Sequence, residues 1–177
     1  NKGAVWVAVK IPDGNISAHA NQSRITTFPL NDSENCLYSP DVISFAREKG
    51  YFSGKDSEFD FSAAYAPLDF GAIRFCDARV WSFFRRCNSS MEKYISYVKG
   101  ESLERMPLSI KPDKKLSVHD VMGLMRDHYE GTELDMTKGI AAGPYQMPYR
   151  WRPLTWQYNG EEYFHERPIS TPQTGFS

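Results

Sequence analysis

The sequence predicts an α+β fold, with antiparallel strands toward both ends of the chain and helices grouped between them. Three observations carry that expectation. Ala4-Val-Trp-Val-Ala-Val-Lys-Ile11 is an almost unbroken β-prone run. Residues 40–49, 71–87, 91–98 and 117–127 read as helices from their apolar spacing and their end signals. Leu154–Tyr158 and Tyr163–Arg167 flank Asn159-Gly160, a dipeptide suited to a tight hairpin turn. Strands and helices do not alternate, so a parallel βαβ sheet is not expected.

In order, the first run meets Pro12-Asp-Gly-Asn15, where Pro presets φ and Gly accepts positive φ. Ile16–Asn21 then returns as a second strand, giving an expected hairpin, and the small residues Ser17, Ala18 and Ala20 let something pack close on it. Gln22–Pro29 continues extended, and Asn31–Asn35 is a polar turn. The helix at Pro40–Lys49 has Ser39 as its expected N-cap, Pro40 in its first turn and Gly50 as its stop. Tyr51–Phe70 is loop-like, with a short helical turn at Ser62–Tyr65. Met91–Val98 is a short helix ended by Gly100, and Met106–Pro112 is extended between prolines. Ser117 and Asp120 form a capping-box-like start for a helix whose apolar face is Val118, Val121, Leu124 and Met125. Glu130–Pro153 is a long irregular region rich in aromatics, a composition that argues against disorder.

Composition narrows the function classes. At 177 residues and 41% hydrophobic the chain fits one domain, or a large piece of one, with ample material for a core. A net charge of −1 gives no electrostatic case for nucleic acid or an acidic membrane. No apolar run approaches the ~20 residues that span a bilayer. Three cysteines, Cys36, Cys76 and Cys87, make no disulfide framework and no CxxC pair, so neither a disulfide scaffold nor a zinc site is expected. Both ends read as cut: Asn1-Lys-Gly lacks an initiator Met and a signal-peptide pattern, and a β-like segment begins at Gln173–Ser177. The expectation is an internal fragment, truncated at both ends.

The helix at Gly71–Cys87 is the centre of the chain. On a wheel of about 100° per residue, Ala72, Ile73, Cys76, Val80, Phe83, Phe84 and Cys87 share one stripe. Arg79 and Arg86 fall at its edge, and Arg74 and Arg85 roughly opposite. An arginine bordering a buried stripe is costly unless something anionic meets it. From wheel geometry alone the plainer reading is that Arg79 snorkels to solvent and that Asn21 only makes a turn.

Other residues weigh toward structure. His128, in Arg126-Asp-His-Tyr-Glu130, has carboxylates beside it but no second ligand at i+4, so it reads as a helix-terminal structural histidine. Cys76 and Cys87 lie in the apolar stripe and read as buried and structural. Tyr145, Tyr149 and Trp151, with Arg150 and Arg152, suit a pocket for a planar or carboxylate-bearing ligand, or else an Ω-loop packed by its own side chains. GxSxG, P-loop and dinucleotide fingerprints are absent.

Gly3-Ala-Val-Trp-Val-Ala, Ile11-Pro-Asp-Gly, Ser17-Ala-His-Ala-Asn-Gln, Ala78-Arg-Val-Trp-Ser-Phe-Phe, Met125-Arg-Asp-His-Tyr-Glu-Gly-Thr132, Pro148-Tyr-Arg-Trp-Arg-Pro153 and Gln173-Thr-Gly-Phe occur in this order. On these motifs the chain resembles the dipeptidase A (PepD-type) cysteine dipeptidases of the N-terminal-nucleophile (Ntn) hydrolase superfamily. The resemblance covers essentially the whole chain. It implies a four-layer αββα sandwich of which residues 1–177 form the middle portion. It also implies hydrolysis of a dipeptide substrate by an N-terminal cysteine, with no metal and no other cofactor. That cysteine would lie upstream of Asn1, so the fragment alone is expected to be inert. By the same resemblance, extended to penicillin V acylases and bile salt hydrolases, Asn21 and Arg79 stand where supporting catalytic residues lie beside the nucleophile. Tyr145, Tyr149 and Trp151 would shape the substrate pocket. No nucleic-acid or membrane partner is expected, and a homo-oligomer is expected of the full-length form. Two alternatives stay open: a non-catalytic module binding a small ligand or glycan, and an amidase of the same superfamily acting on acyl amides.

Overall fold

The computed structural model describes residues 4–138 and 150–169, and within β-strands 150–158 and 163–169 it describes the backbone. Small antiparallel sheets and a set of helices make the fold α+β, as expected. The chain divides into two compact units, Asn1–Lys115 and Leu116–Ser177.

In the first unit β1 (Val7–Val9) pairs antiparallel with β3 (Cys36–Tyr38), and β2 (Ile16–Ser17) pairs antiparallel with β4 (Ser109–Ile110). The Pro12–Asn15 turn forms, with Asn15 N donating to Pro12 O at 3.0 Å and Gly14 at φ 80°. The hairpin expected across it does not form among the described residues, because the strands on its two sides join different sheets. Turn chemistry sets a reversal locally, whereas the pairing partner is chosen by distant groups. Ser17 Oγ donates to Leu108 O at 2.6 Å, and Trp6 O accepts from Ser39 N at 2.9 Å. The second strand is also shorter than expected, so Asn21 lies beyond it in a bend.

Helix α1 (Val42–Glu48) begins two positions later than expected. Ser39 is not its cap: the Ser39 hydroxyl accepts from Trp6 N at 3.2 Å and continues the β1–β3 ladder. Gly50 closes the helix at φ 72°. Val42, Ile43 and Ala46 pack with Phe59 and with Ala64 of α2 (Phe61–Tyr65), and the rings of Phe28, Tyr38, Phe52 and Tyr65 surround them. Burying these side chains is the main favourable term for this part of the unit.

The central helix runs as α3 (Phe70–Ala72), a wide π turn over Ile73–Asp77, and α4 (Ala78–Cys87). Ala78 N donates to Ile73 O, five residues back. A π turn carries one residue more than an α turn, which rotates everything before it relative to everything after. The single stripe drawn for an unbroken α-helix is therefore split. Val80, Phe84 and Cys87 are buried, but Ala72, Ile73, Cys76 and Phe83 are only partly so. Asp77 through Ser82 are all buried, so the first half of α4 is enclosed around its circumference rather than on one face. A 3-10 turn at Ser89–Tyr94 leads into α5 (Ile95–Lys99), which Gly100 ends at φ 81°.

In the second unit α6 (Val118–Leu124) has the expected capping box: Asp120 N donates to Ser117 Oγ at 3.1 Å, and Ser117 N to Asp120 Oδ2 at 2.8 Å. Its apolar face differs from expectation, since Leu124 is buried while Val118 and Val121 are exposed. Strands β5 (Arg150–Tyr158) and β6 (Glu161–Ile169) pair in register from Arg150 opposite Ile169 to Tyr158 opposite Glu161. Asn159 at φ 51° and Gly160 at φ 81° give the tight turn that the dipeptide predicts. The expected irregular region overran its end, because 150–153 are strand, with Pro153 opposite Glu166. No helix among the described residues is long and apolar enough to cross a membrane.

Candidate functional site

Asn21 and Arg79, 58 positions apart, meet in the first unit: Arg79 Nη2 donates to Asn21 Oδ1 at 2.6 Å. Each is presented by an unusual piece of backbone. Asn21 stands at φ 61°, a left-handed conformation that asparagine adopts more readily than most residues. Arg79 lies in the first turn of α4, just past the π turn, and its Nε donates to Phe75 O at 2.7 Å. That bond to its own helix fixes one side of the guanidinium and sends another arm to Asn21. Arg79 is buried, so the snorkelling reading of the wheel is corrected. The helix has neighbours on every side here, and the charge meets polar groups where it stands. Of the nearby arginines, Arg85 lies over the Trp81 ring and pairs with Glu92 at 3.5 Å, and Arg86 is exposed.

Beneath this pair is a second arginine that sequence reasoning did not single out. Arg24 is buried, with Nε 3.5 Å from Asp77 Oδ1 and both side chains almost wholly shielded. Its Nη1 donates to Ala18 O at 3.3 Å, and its Nη2 to Met106 O and Pro107 O, each at 3.0 Å. The guanidinium carbon lies 5.4 Å from the centre of the Phe84 ring. Burial lowers the Arg24 pKa, and the Asp77 carboxylate opposes that shift. The other oxygen of Asp77 accepts from Tyr97 Oη at 2.6 Å. Burial pushes the Tyr97 phenol up, and its bond to Asp77 adds to the effect. One signal was available for Asp77: an acid in the middle of an apolar helix needs a buried partner. Nothing in the sequence around Arg24 distinguishes it from an exposed arginine of an extended segment.

A cleft of about 440 Å³ opens beside Asn21, a size within the usual range for small-molecule sites. Val9, Ile11, Ile25 and Leu108 give it apolar walls, and Ser17, His19, Asn21 and Gln22 supply polar groups. None of its described lining residues carries a carboxylate. His19, isolated in sequence, is brought to the site by the same bend that carries Asn21. The arrangement suits a neutral or anionic ligand with an apolar portion, held next to an oriented amide.

The remaining candidates separate. Tyr145 and Tyr149 lie outside the described residues, and Trp151 stands in β5 opposite Pro168, with only its backbone described. His128 is buried after α6, as a structural histidine should be, with Nδ1 3.1 Å from Glu130 Oε1. Burial alone would push the Glu130 carboxyl up, but hydrogen bonds involving Asp127 and His128 hold it down to about 2. Cys36 and Cys87 are buried and Cys76 is half-buried, all three free. Among the described residues no group of three or more His, Cys, Asp or Glu side chains stands close enough to hold a metal ion.

Comparison with known proteins adds a family. The profile of peptidase family C69 matches residues 1–175. A probable dipeptidase of Salmonella dublin is 32% identical over 153 residues, which is 86% of this chain and 33% of that protein. A probable dipeptidase of Latilactobacillus sakei is 29% identical over 75% of this chain and 27% of its own length. A probable dipeptidase B of Streptococcus pyogenes serotype M1 is 27% identical over 75% of this chain and 25% of its own. The chain thus spans a third or less of these curated relatives.

Proposed function

This chain belongs to peptidase family C69, and on that premise we propose that it is part of a dipeptidase whose nucleophile is an N-terminal cysteine upstream of Asn1. Residues 1–177 would form the middle portion of one Ntn-hydrolase domain with a four-layer αββα sandwich, and would be inert without the nucleophile. The names of the relatives and the ordered motifs support the substrate class. The observation that carries the site is the 2.6 Å bond from Arg79 to Asn21.

A guanidinium only donates hydrogen bonds, so that contact requires the carbonyl side of the Asn21 amide to face Arg79. The Nδ2 hydrogens are then left for a ligand at the cleft. In the proposed reaction the cysteine's own α-amine takes up the thiol proton, and the thiolate so formed attacks the peptide carbonyl carbon. Negative charge develops on the carbonyl oxygen, and Asn21 Nδ2 donates to it. The amine returns the proton to the departing amino group as the C–N bond breaks. Water then hydrolyses the thioester, releasing the first amino acid and restoring the thiol. Arg79 holds the Asn21 amide in the productive orientation, and its positive charge favours the thiolate. The cleft, with apolar walls and no carboxylate among its described lining residues, accepts an uncharged side chain and tolerates the substrate's own C-terminal carboxylate. Tyr145, Tyr149 and Trp151 complete the substrate pocket in this reading.

The test is Arg79→Ala in the full-length protein. Loss of about 2–4 kcal/mol of transition-state stabilisation, read from kcat/KM, is expected. A folded variant with unchanged kcat/KM would sink the assigned role. A panel of dipeptides, penicillin V and conjugated bile acids separates peptidase from acylase, and turnover of only the last two would overturn the dipeptide reading.

A further inference from the structure

The segment from Ala18 to Arg24 closes on itself. Arg24 Nη1 donates to Ala18 O, and Asn21 stands midway between them at φ 61°. A residue held in that sparsely populated region reverts unless its surroundings over-determine it. Arg24 supplies that determination from below. One guanidinium joins the start of the segment, at Ala18 O, to Met106 O and Pro107 O on a stretch 82 positions away. Asp77, just ahead of α4, holds its charge in place, and Tyr97 holds Asp77. The other flank is anchored separately: Ser62 Oγ donates to Ser23 O at 3.0 Å, and the Gln22 amide donates to Ala66 O.

We propose that Arg24 is a positioning residue for Asn21: by closing the Ala18–Arg24 loop over Asp77, it fixes the amide that Arg79 orients. The role of the presented amide rests on the dipeptidase reading above, but the loop closure does not. Two physical points favour this over a purely stabilising role. A buried ion pair contributes little net stability compared with apolar packing of the same volume, so its use here fits a need for defined geometry. The three carbonyls also require a planar fork with several donors, which lysine lacks. The site is thus held at two levels, with Arg79 on the Asn21 side chain and Arg24 on the backbone that carries it.

The experiment uses the full-length protein with Arg24→Met and Arg24→Lys, assayed on Ala-Leu and followed by amide hydrogen exchange. Arg24→Met should lower kcat by about 100-fold, the cost of a misplacement of roughly 1 Å, with KM changed by less than about threefold. Exchange at Phe61 and Ser62, whose N–H groups donate to Thr26 O and Ile25 O just beyond Arg24, should quicken by more than about tenfold while protection within Trp81–Phe84 is kept. Arg24→Lys should recover only a minor part of the lost kcat, because a point charge cannot bridge the three carbonyls. A folded Arg24→Met protein with wild-type kcat and unchanged exchange at Phe61 and Ser62 overturns the proposal, as does complete rescue by lysine. Should Arg24→Met fail to fold, Tyr97→Phe loosens Asp77 without removing a charge. It should then lower kcat by about 3- to 10-fold at constant KM, and no change would count against the proposal. Absence of dipeptide hydrolysis in the wild type would defeat the dipeptidase reading alone, and exchange at Phe61 and Ser62 would still decide the loop closure.

Discussion

Asn21 in the first unit and Tyr129 in the second both stand at positive φ, 61° and 63°, where residues bearing a Cβ are uncommon. They are held there in opposite ways. Tyr129 is buried and is secured by its immediate neighbours. Its N–H donates to Asp127 Oδ1 at 3.1 Å, and its carbonyl accepts from Thr132 Oγ1 at 2.7 Å, while Met136 N donates to His128 O at 2.9 Å. Asn21 is exposed; its side chain is held by Arg79, 58 positions away, and the segment that carries it is tied through the nearby Arg24 to Met106 O and Pro107 O, more than 80 positions on. A strained residue that buries its side chain serves packing. On the reading proposed above, one that offers a polar side chain to an open cleft while distant elements hold it serves a ligand. In that reading the origin of the restraining bonds, rather than the positive φ itself, separates a structural turn from a site.

Substitutions at the two turns should differ in their effect on stability and on activity. Asp77→Ala should be the most damaging, at about 3–5 kcal/mol, because it leaves the Arg24 charge buried without its counter-ion. Urea unfolding of the full-length protein measures it, and a loss under about 1 kcal/mol would mean that the ion pair is not what holds the Asn21 segment. Thr132→Val removes a hydroxyl that donates to Tyr129 O and accepts from Leu134 N at 3.1 Å, and should cost about 1–2 kcal/mol with kcat/KM unchanged. Lost activity without lost stability would show that the Tyr129 turn is also functional. Asn21→Gly should change stability least, by about 1 kcal/mol or less, since glycine accepts the backbone conformation and water reaches the exposed position. Its kcat/KM should nonetheless fall by about 10²–10³, the usual consequence of losing an oxyanion donor. A fall in stability instead of activity would place Asn21 with Tyr129 as a structural turn.

The features legible in the sequence were those with local causes. Ser117 and Asp120 specify their capping box within four residues, Asn159-Gly160 specifies its turn, and Gly50 and Gly100 end their helices at positive φ. Features set by distant contacts were misread. Pro12–Gly14 forms its turn without its hairpin, and Ser39 bonds to Trp6 instead of capping α1. The α6 face reads as apolar from spacing, yet Val118 and Val121 are exposed, because periodicity states which residues share a face and not whether anything covers it. Asn21 and Arg79 were found only through resemblance, and Arg24 was not found at all.

By itself the sequence determined the α+β class, the family, and the presence of a long central helix with an arginine at its edge. These follow from propensity, periodicity and ordered motifs, which are properties of neighbouring residues. The tertiary structure alone decided what that arginine meets. A π turn shifted the phase of the helix, burial removed the route to solvent, and a bend 58 positions earlier brought Asn21 within 2.6 Å. Helical spacing cannot encode such a meeting, because the partner of a buried charge is set by which remote segment packs against it.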